Sequence, residues 1–286
     1  MEPLVDLNTV TEVRAVRARR DLDALAEEGT AILAGGTWLF SAPQRHLRTL
    51  LDLTTAGWEP LVAGDDGLEV AATCTIGELS RLPARPGWRA HPLLAWCCRA
   101  LLASFAVRHT ATVGGNVCLA LPAGAMTSLA GALDGTALVW GPGGAERRLP
   151  VADLVTGPGR TQLARGEVLR SLHLPAAALR SRVAFRRTSL AARGRSASLV
   201  VGRLGEDGFV LSVTAAVPRP LVLRFPGICP PERLRAALDA VPVWFDDAHG
   251  APDWRRAVTG VLAEQVRAEL AGPPRARAGA AGEGAR

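Results

Sequence analysis

Residues 32–39 read ILAGGTWL, so a short apolar run leads directly into Gly35, Gly36 and Thr37. The apolar residues predict a β-strand over 31–34 that ends at the paired glycines. Glycine can adopt a positive φ and lets a bulky group approach the main chain, so the turn can present backbone N–H groups to an anion. Residues 34–39 are therefore a candidate phosphate-binding loop, although a plain turn has the same pattern.

A second segment with the same residue types lies at 110–116 and reads TATVGGN. Its hydroxyls, paired glycines and amide side chain make it a second candidate phosphate loop. Two such loops suggest one diphosphate held between them, which differs from the single G-x-G-x-x-G turn of dinucleotide-binding sheets. The sequence contains neither that pattern after a strand nor G-x-x-x-x-G-K-[ST].

The sequence resembles the FAD-binding (medium) subunits of the molybdenum hydroxylases, which include the xanthine dehydrogenase, carbon monoxide dehydrogenase and aldehyde oxidoreductase types. The resemblance lies in five segments of matching order and spacing: ILAGGTWLF, LLDLTTAG, LEVAATCTIGELSRLP, RHTATVGGNVCLALPAGAMTSLAGALDGTALVW and TGPGRTQLARGEVL. A further segment, HGAPDWRRAVTGVLAEQVRAEL, resembles the final helix of that family's C-terminal domain. The resemblance implies an α+β fold with FAD as the cofactor.

The expected organisation is a two-subdomain α/β FAD-binding domain of the PCMH type, followed by a smaller α+β domain as in carbon monoxide dehydrogenase flavoproteins. The expected bounds are 1–176 for the first domain, with subdomains of about 1–56 and 57–176, then 177–271 for the second and 272–286 for a disordered tail. Three β-rich runs after Pro175 begin with a predicted strand at 182–188, and the last predicted helix is 252–271.

Capping-box spacing at Thr9 and Glu12 predicts a helix that starts near the N-terminus and stops at Gly29. The predicted helix leads into the strand that precedes the first glycine pair. A second predicted strand at 50–53 completes a small α/β unit. The Gly-Gly turn then lies at the carboxyl end of a strand, where open α/β sheets usually bind ligands.

The resemblance assigns FAD contacts, position by position, to the two candidate loops and to one arginine of the C-terminal domain. These residues are Leu33, Ala34, Gly35, Gly36, Thr37, Trp38, Leu39, Thr110, Thr112, Val113, Gly114, Gly115, Asn116 and Arg186. Trp38 stands where the family commonly has an acidic or small polar residue. It is predicted either to contact the cofactor or to pack into the core between the two α/β units.

Other departures from the family pattern remove polar groups. Leu121 and Ala125 replace a serine and an acidic residue, and Arg195 stands near the place of a second acidic residue. Each lost hydrogen bond to a polar ligand group costs on the order of 1 kcal/mol, so these losses are expected to reduce FAD affinity and need not abolish it. A second interpretation stays open, in which the protein is a flavin-free structural or assembly paralogue that keeps the fold and the subunit-binding surface.

No catalytic or metal-binding residue is predicted, because the histidines show neither a ligand spacing nor a triad arrangement. This suits a flavoprotein of electron transfer, in which the flavin performs the redox chemistry. The resemblance implies that electrons arise at a molybdopterin large subunit and pass through an iron–sulfur small subunit to the FAD of this chain. They then leave to NAD, oxygen or another small-molecule acceptor.

Composition argues against several other classes. The formal net charge is +6 over 286 residues, but no basic cluster is interleaved with aromatic residues, so nucleic acid is not an expected partner. The five cysteines form no C-x-x-C pair, which argues against a disulfide framework and an iron–sulfur site in this chain. The longest apolar stretch, 93–107, is interrupted by Arg99 and is too short to span a membrane. The predicted location is the cytoplasm.

Overall fold

The structure of the protein is a computed structural model that describes residues 7–192 and 194–273. Within these residues the chain forms sheets of three, five, four and two strands, with helices packed on them. The predicted α+β fold class is confirmed by this mixture of helices and open sheets. The predicted disordered tail lies, from residue 274 onward, outside the described residues.

The first sheet contains the strand that leads into the first glycine pair. Its strands are β1 (Glu12–Ala15), β2 (Thr30–Leu33) and β3 (Thr49–Asp52). They are parallel, in the order β1-β3-β2. The central strand is the most buried, and Leu51 packs in a small core with Val16. The strands predicted at 31–34 and 50–53 are therefore confirmed with a shift of one residue.

The N-terminal helix predicted from the spacing of Thr9 and Glu12 is wrong. Residues 12–15 form β1, whose backbone pairs with β3. A 3-10 helix, Arg19–Ala26, follows, and the Asp21 carboxylate accepts two backbone N–H groups at 2.8 Å each at its start. Pairing along a whole strand therefore outweighs the local capping signal.

The second region of the chain contains a five-stranded antiparallel sheet and a hairpin. In chain order its strands are β4 (Leu61–Ala63), β5 (Gly67–Ala71), β6 (Thr136–Trp140), β7 (Glu146–Pro150), the hairpin strands β8 (Val155–Gly157) and β9 (Arg160–Thr161), and β10 (Val168–Pro175). The order across the sheet is β4-β5-β10-β6-β7. The long strand β10 lies at its centre and pairs with β5 and β6.

Helices cover this sheet and enclose the largest core of the protein. They are α1 (Ile76–Ser80), α2 (His91–Ala100), α3 (Phe105–Thr110), α4 (Val113–Cys118), α5 (Ala125–Ala132), α6 (Val151–Leu154) and α7 (Ala176–Arg180). Leu93 and Met126 are fully buried in this core with Leu172 of β10. The end of α2 and the start of α4 line one cleft together with the first glycine pair.

The last region is a four-stranded antiparallel sheet with two helices. Its strands are β11 (Arg182–Thr188), β12 (Ser198–Gly205), β13 (Gly208–Thr214) and β14 (Leu221–Phe225), in that order, followed by α8 (Pro231–Asp239) and α9 (Pro252–Ala271). Helix α9 packs on β11 and β12, and α5 packs on β13. All seven residues of β13 are buried, and four of them are the apolar residues Phe209, Val210, Leu211 and Val213. The domain boundary expected at 176 falls at the start of α7.

Candidate functional site

The first candidate loop, residues 34–39, follows directly from the carboxyl end of β2. Gly36 has a φ of +66°. This left-handed conformation favours glycine, and a Cβ here would also displace the ring of Phe40, which would lie 2.6 Å away. Within the described residues, the N–H groups of residues 35–38 donate to no acceptor of the protein. Consecutive free N–H groups at such a turn form a concavity that suits an anion.

The two glycine segments touch each other at Gly35. A Cβ at Gly35 would lie 1.8 Å from the carbonyl oxygen of Thr110, far inside contact distance. Only glycine lets the first loop lie this close to the backbone of the second segment. The fold therefore brings two segments that are distant in sequence into direct contact.

The second segment is the start of a helix, and its N–H groups are already bonded. Thr112 caps α4, since its Oγ1 accepts a hydrogen bond of 3.0 Å from the N–H of Gly115. The N–H groups of Val113 and Gly114 donate to backbone carbonyl oxygens at 2.8 and 2.9 Å. The N–H groups of residues 113–115 are therefore used within the protein, and the contacts of this segment with a diphosphate stay a prediction that rests on its other polar groups. The first loop presents consecutive free donors, whereas helix capping and backbone contacts use the N–H groups of residues 113–115.

Packing explains the glycine and the amide side chain of this second segment. A Cβ at Gly114 would lie 2.4 Å from the Cβ of Ala72, so the start of α4 can approach the end of β5 only with glycine. The Oδ1 atom of Asn116 accepts a hydrogen bond of 2.9 Å from the N–H of Met126. Asn116 thereby satisfies a backbone donor in the first turn of α5.

A cleft of about 770 Å³ lies between the first loop and the start of α4. The sequence-predicted residues that line it are Ala34, Gly35, Gly36, Thr37, Trp38, Leu39, Thr112, Gly114, Gly115 and Asn116. The rest of the wall includes Leu121 and Arg195, which were noted above only as departures from the family pattern, and residues 100–103 and 167–169, which the sequence did not predict. Most of these are ordinary apolar or loop residues, so no local pattern marks them.

Four sequence-predicted residues do not line the cleft. Leu33 belongs to β2, and the Val113 side chain is 1% exposed in the main core. Thr110 meets the first loop through its carbonyl oxygen, while its hydroxyl donates to the carbonyl oxygen of Ala106 at 3.2 Å. These three residues therefore lie next to the lining residues and do not face the cleft.

Arg186, the fourth, lies in a separate pocket of about 420 Å³ between α2, β11 and α9. Its guanidinium pairs with Glu269 at 2.5 Å. This ion pair directs Arg186 toward α9, so the arginine of the C-terminal region that lines the cleft is Arg195 and not Arg186. The loop between β11 and β12 carries Arg195 there.

The described part of the cleft wall contains two charged side chains, Glu167 and Arg195. Arg147 donates two hydrogen bonds of 2.8 and 2.7 Å to the Glu167 carboxylate, and these bonds hold the pKa of Glu167 below its ordinary value. Glu167 is therefore ionised and neutralised by its partner. Burial raises the pKa of the Cys118 thiol to about 12, so Cys118 is a neutral part of the wall.

Trp38 is 51% exposed and lines the cleft. The alternative that it packs into the core between the two α/β units is therefore wrong. Its indole adds an apolar plane beside the free N–H groups of the first loop.

Among the described residues, no group of three or more His, Cys, Asp and Glu side chains could hold a metal ion. The arrangement suits an elongated ligand with an anionic part and an aromatic part.

Comparison with known proteins gives a family match over more than half of the chain. The model described as "FAD binding domain in molybdopterin dehydrogenase" matches residues 10–177. No match is found among curated proteins.

Solved structures of three proteins show the same fold. A carbon monoxide dehydrogenase from Hydrogenophaga pseudoflava that lacks the Mo-pyranopterin moiety has a TM-score of 0.74 and 21% identity, covering 90% of this chain and 96% of that chain. Quinoline 2-oxidoreductase from Pseudomonas putida 86 has a TM-score of 0.75 and 21% identity, covering 91% and 96%. Reconstituted CO dehydrogenase from Oligotropha carboxidovorans has a TM-score of 0.73 and 19% identity, covering 89% and 95%.

Proposed function

Since this chain belongs to the family of FAD-binding domains of molybdopterin dehydrogenases, we propose that it is the electron-transfer flavoprotein subunit of a multi-subunit molybdenum hydroxylase. In this role it accepts electrons from iron–sulfur clusters of a partner and passes them to NAD, oxygen or another small-molecule acceptor. The family match confirms the sequence-based prediction of FAD as the cofactor. The same match supports the assignment of the chain to the oxidoreductase subunits.

The residues of the cleft fit FAD. This conclusion rests on the free N–H groups of residues 35–38, which can donate hydrogen bonds to the diphosphate of FAD. The volume of about 770 Å³ is in the range of small-molecule sites, and the mostly apolar wall with Trp38 suits an aromatic ring system. When bound, FAD supplies the redox chemistry that amino-acid side chains lack. The chain then has to hold the cofactor, orient it and shield part of it from water.

We propose an iron–sulfur small subunit and a molybdopterin large subunit as partners. Support comes from the family, whose description names molybdopterin dehydrogenases, and from the similar fold in solved dehydrogenase and oxidoreductase structures. No helix among the described residues combines the length and hydropathy needed to cross a bilayer. The cytoplasm remains our proposal for the location, and the five unpaired cysteine thiols are compatible with its reducing conditions.

Co-purification tests the proposed partners. An affinity-tagged chain, expressed in its native host and isolated at ordinary salt, should bring down a chain with iron–sulfur ligands and a much larger molybdenum-containing chain. Mass spectrometry and metal analysis would identify both. Isolation of a yellow, FAD-loaded protein without either partner would contradict the proposed assembly and leave the binding of FAD intact.

Trp38 offers a test of the aromatic part of the site. Trp38→Ala should weaken FAD binding by about threefold to tenfold, because aromatic contact is worth roughly 0.5–1.5 kcal/mol. The melting temperature of the flavin-free protein should stay nearly constant, since Trp38 is 51% exposed. Phe105→Ala is the matched control, because Phe105 is 77% exposed and does not line the cleft. Equal FAD affinity in the wild type and in Trp38→Ala would show that the indole does not contact the cofactor.

A further inference from the structure

Arg195 is held at the cleft by the backbone on both sides of it. The carbonyl oxygen of Gly194 accepts a hydrogen bond of 2.9 Å from Nη2 of Arg187. On the other side, Ser196 and Ala197 are buried, and the N–H of Ala197 donates to the carbonyl oxygen of Thr188 at 2.8 Å. The loop therefore has two anchors, and the side chain between them lines the cleft.

The charge of Arg195 is not balanced by the wall around it. The other charged side chain of the described wall, Glu167, already receives two hydrogen bonds from Arg147. No carboxylate of the described residues forms an ion pair with Arg195. The cleft therefore presents one uncompensated positive charge to a ligand.

The first loop by itself leaves part of a diphosphate without donors. A diphosphate linkage carries two negative charges at neutral pH, and a single row of N–H groups contributes partial charges only. In the second glycine segment, the backbone N–H groups of residues 113–116 are bonded within the protein. A guanidinium is the side chain best suited to the remaining phosphate oxygens, since it can donate two parallel hydrogen bonds.

We propose that Arg195 is the counter-ion of the FAD diphosphate and adds a full positive charge to the free N–H groups of the first loop. This inference rests on the proposed function, because it concerns the same cofactor. It assigns the positioning of the diphosphate to a loop of the C-terminal sheet, whereas the family match covers residues 10–177 only. The C-terminal region would then be required for FAD binding as well as for the fold.

Substitutions of Arg195 test this role by FAD titration of the flavin-free protein. Arg195→Ala should weaken FAD binding by about tenfold and Arg195→Glu by about a hundredfold, whereas Arg195→Lys should retain most of the affinity. Raising the salt concentration should weaken FAD binding by the wild type more than by Arg195→Ala. Arg89→Ala is the control, because Arg89 is exposed and lies outside the cleft. All variants should melt at the wild-type temperature.

ADP, used as a competitor of FAD, locates the contact within the cofactor. ADP shares the diphosphate but lacks the flavin, so its affinity should fall by the same factor as that of FAD in Arg195→Ala. An Arg195→Glu variant that binds FAD as the wild type does would overturn the inference and leave the proposed function intact. A loss of FAD affinity in Arg195→Ala without an equal loss of ADP affinity would also overturn the inference. Failure of ADP to compete with FAD in the wild type would overturn it as well. Failure of the wild type to bind FAD would instead contradict the proposed function.

Discussion

Gly35→Ala should lower the free energy of unfolding by about 3 kcal/mol and prevent the cleft from binding FAD. The added Cβ would lie 1.8 Å from the carbonyl oxygen of Thr110, and both partners are backbone. Rotation of a side chain cannot relieve this clash, so the first loop or α3 must move. Movement of the loop also displaces the free N–H groups of residues 35–38. Chemical denaturation and FAD titration would measure the two effects.

Gly260→Ala is the matched control for this substitution. Gly260 lies within α9, and a Cβ there would meet nothing within 4 Å. Alanine has a higher helix propensity than glycine, so this variant should gain up to about 1 kcal/mol in stability. Gly35→Ala with wild-type stability and wild-type FAD affinity would show that the two glycine segments are not in the contact described.

Arg255→Met should lower the free energy of unfolding by about 3–5 kcal/mol. Arg255 is 1% exposed. Its Nε donates to the carbonyl oxygen of Gly250 and its Nη1 to that of Ala197, both at 2.8 Å. It also donates to the carbonyl oxygen of Ala215 and pairs with Asp247. Methionine fills a similar volume but leaves a carboxylate and three carbonyl oxygens without their donor.

This substitution reaches the cofactor site through the backbone. Ala197, whose carbonyl oxygen accepts from Arg255, belongs to the anchor that follows Arg195. FAD affinity should therefore fall together with stability, and far-UV circular dichroism would follow the loss of the C-terminal sheet.

The control for Arg255→Met is the same substitution at the next residue. Arg256 is paired with Asp239 at 2.7 Å, and its side chain is 53% exposed. An exposed ion pair contributes about 0–1 kcal/mol, so Arg256→Met should be nearly neutral. Equal effects of the two substitutions would contradict the buried role of Arg255.

Elements whose residues pair or pack in simple periodic patterns could be predicted from the sequence. Strand β11 (Arg182–Thr188) and helix α9 (Pro252–Ala271) have the bounds that the sequence predicted. Helix α9 buries residues at helical spacing and begins with proline in its first turn, whereas β11 buries only Ala184 and is marked by its β-rich composition. The N-terminal segment was predicted wrongly because its strand character comes from pairing with β3, a contact that is remote in sequence.

The candidate site could be predicted only where its features are local in sequence. Gly36 was identified because a turn after a strand is a local feature. The bonded state of the N–H groups of Val113 and Gly114 depends on their acceptors in the chain just after β5, which the sequence of the segment does not reveal. Arg195 was noted only as a departure from a family pattern. Its place in the cleft results from the anchoring of the loop between β11 and β12.

Direct titration of the purified, flavin-free chain with FAD tests the central claim, that the cleft beside Gly35 and Gly36 binds this cofactor. We expect a yellow protein on purification. After removal of the flavin, we expect saturable binding of one FAD per chain, with a change in flavin fluorescence. A colourless protein that is folded by circular dichroism and shows no saturable FAD binding would contradict this claim and favour a flavin-free structural or assembly paralogue.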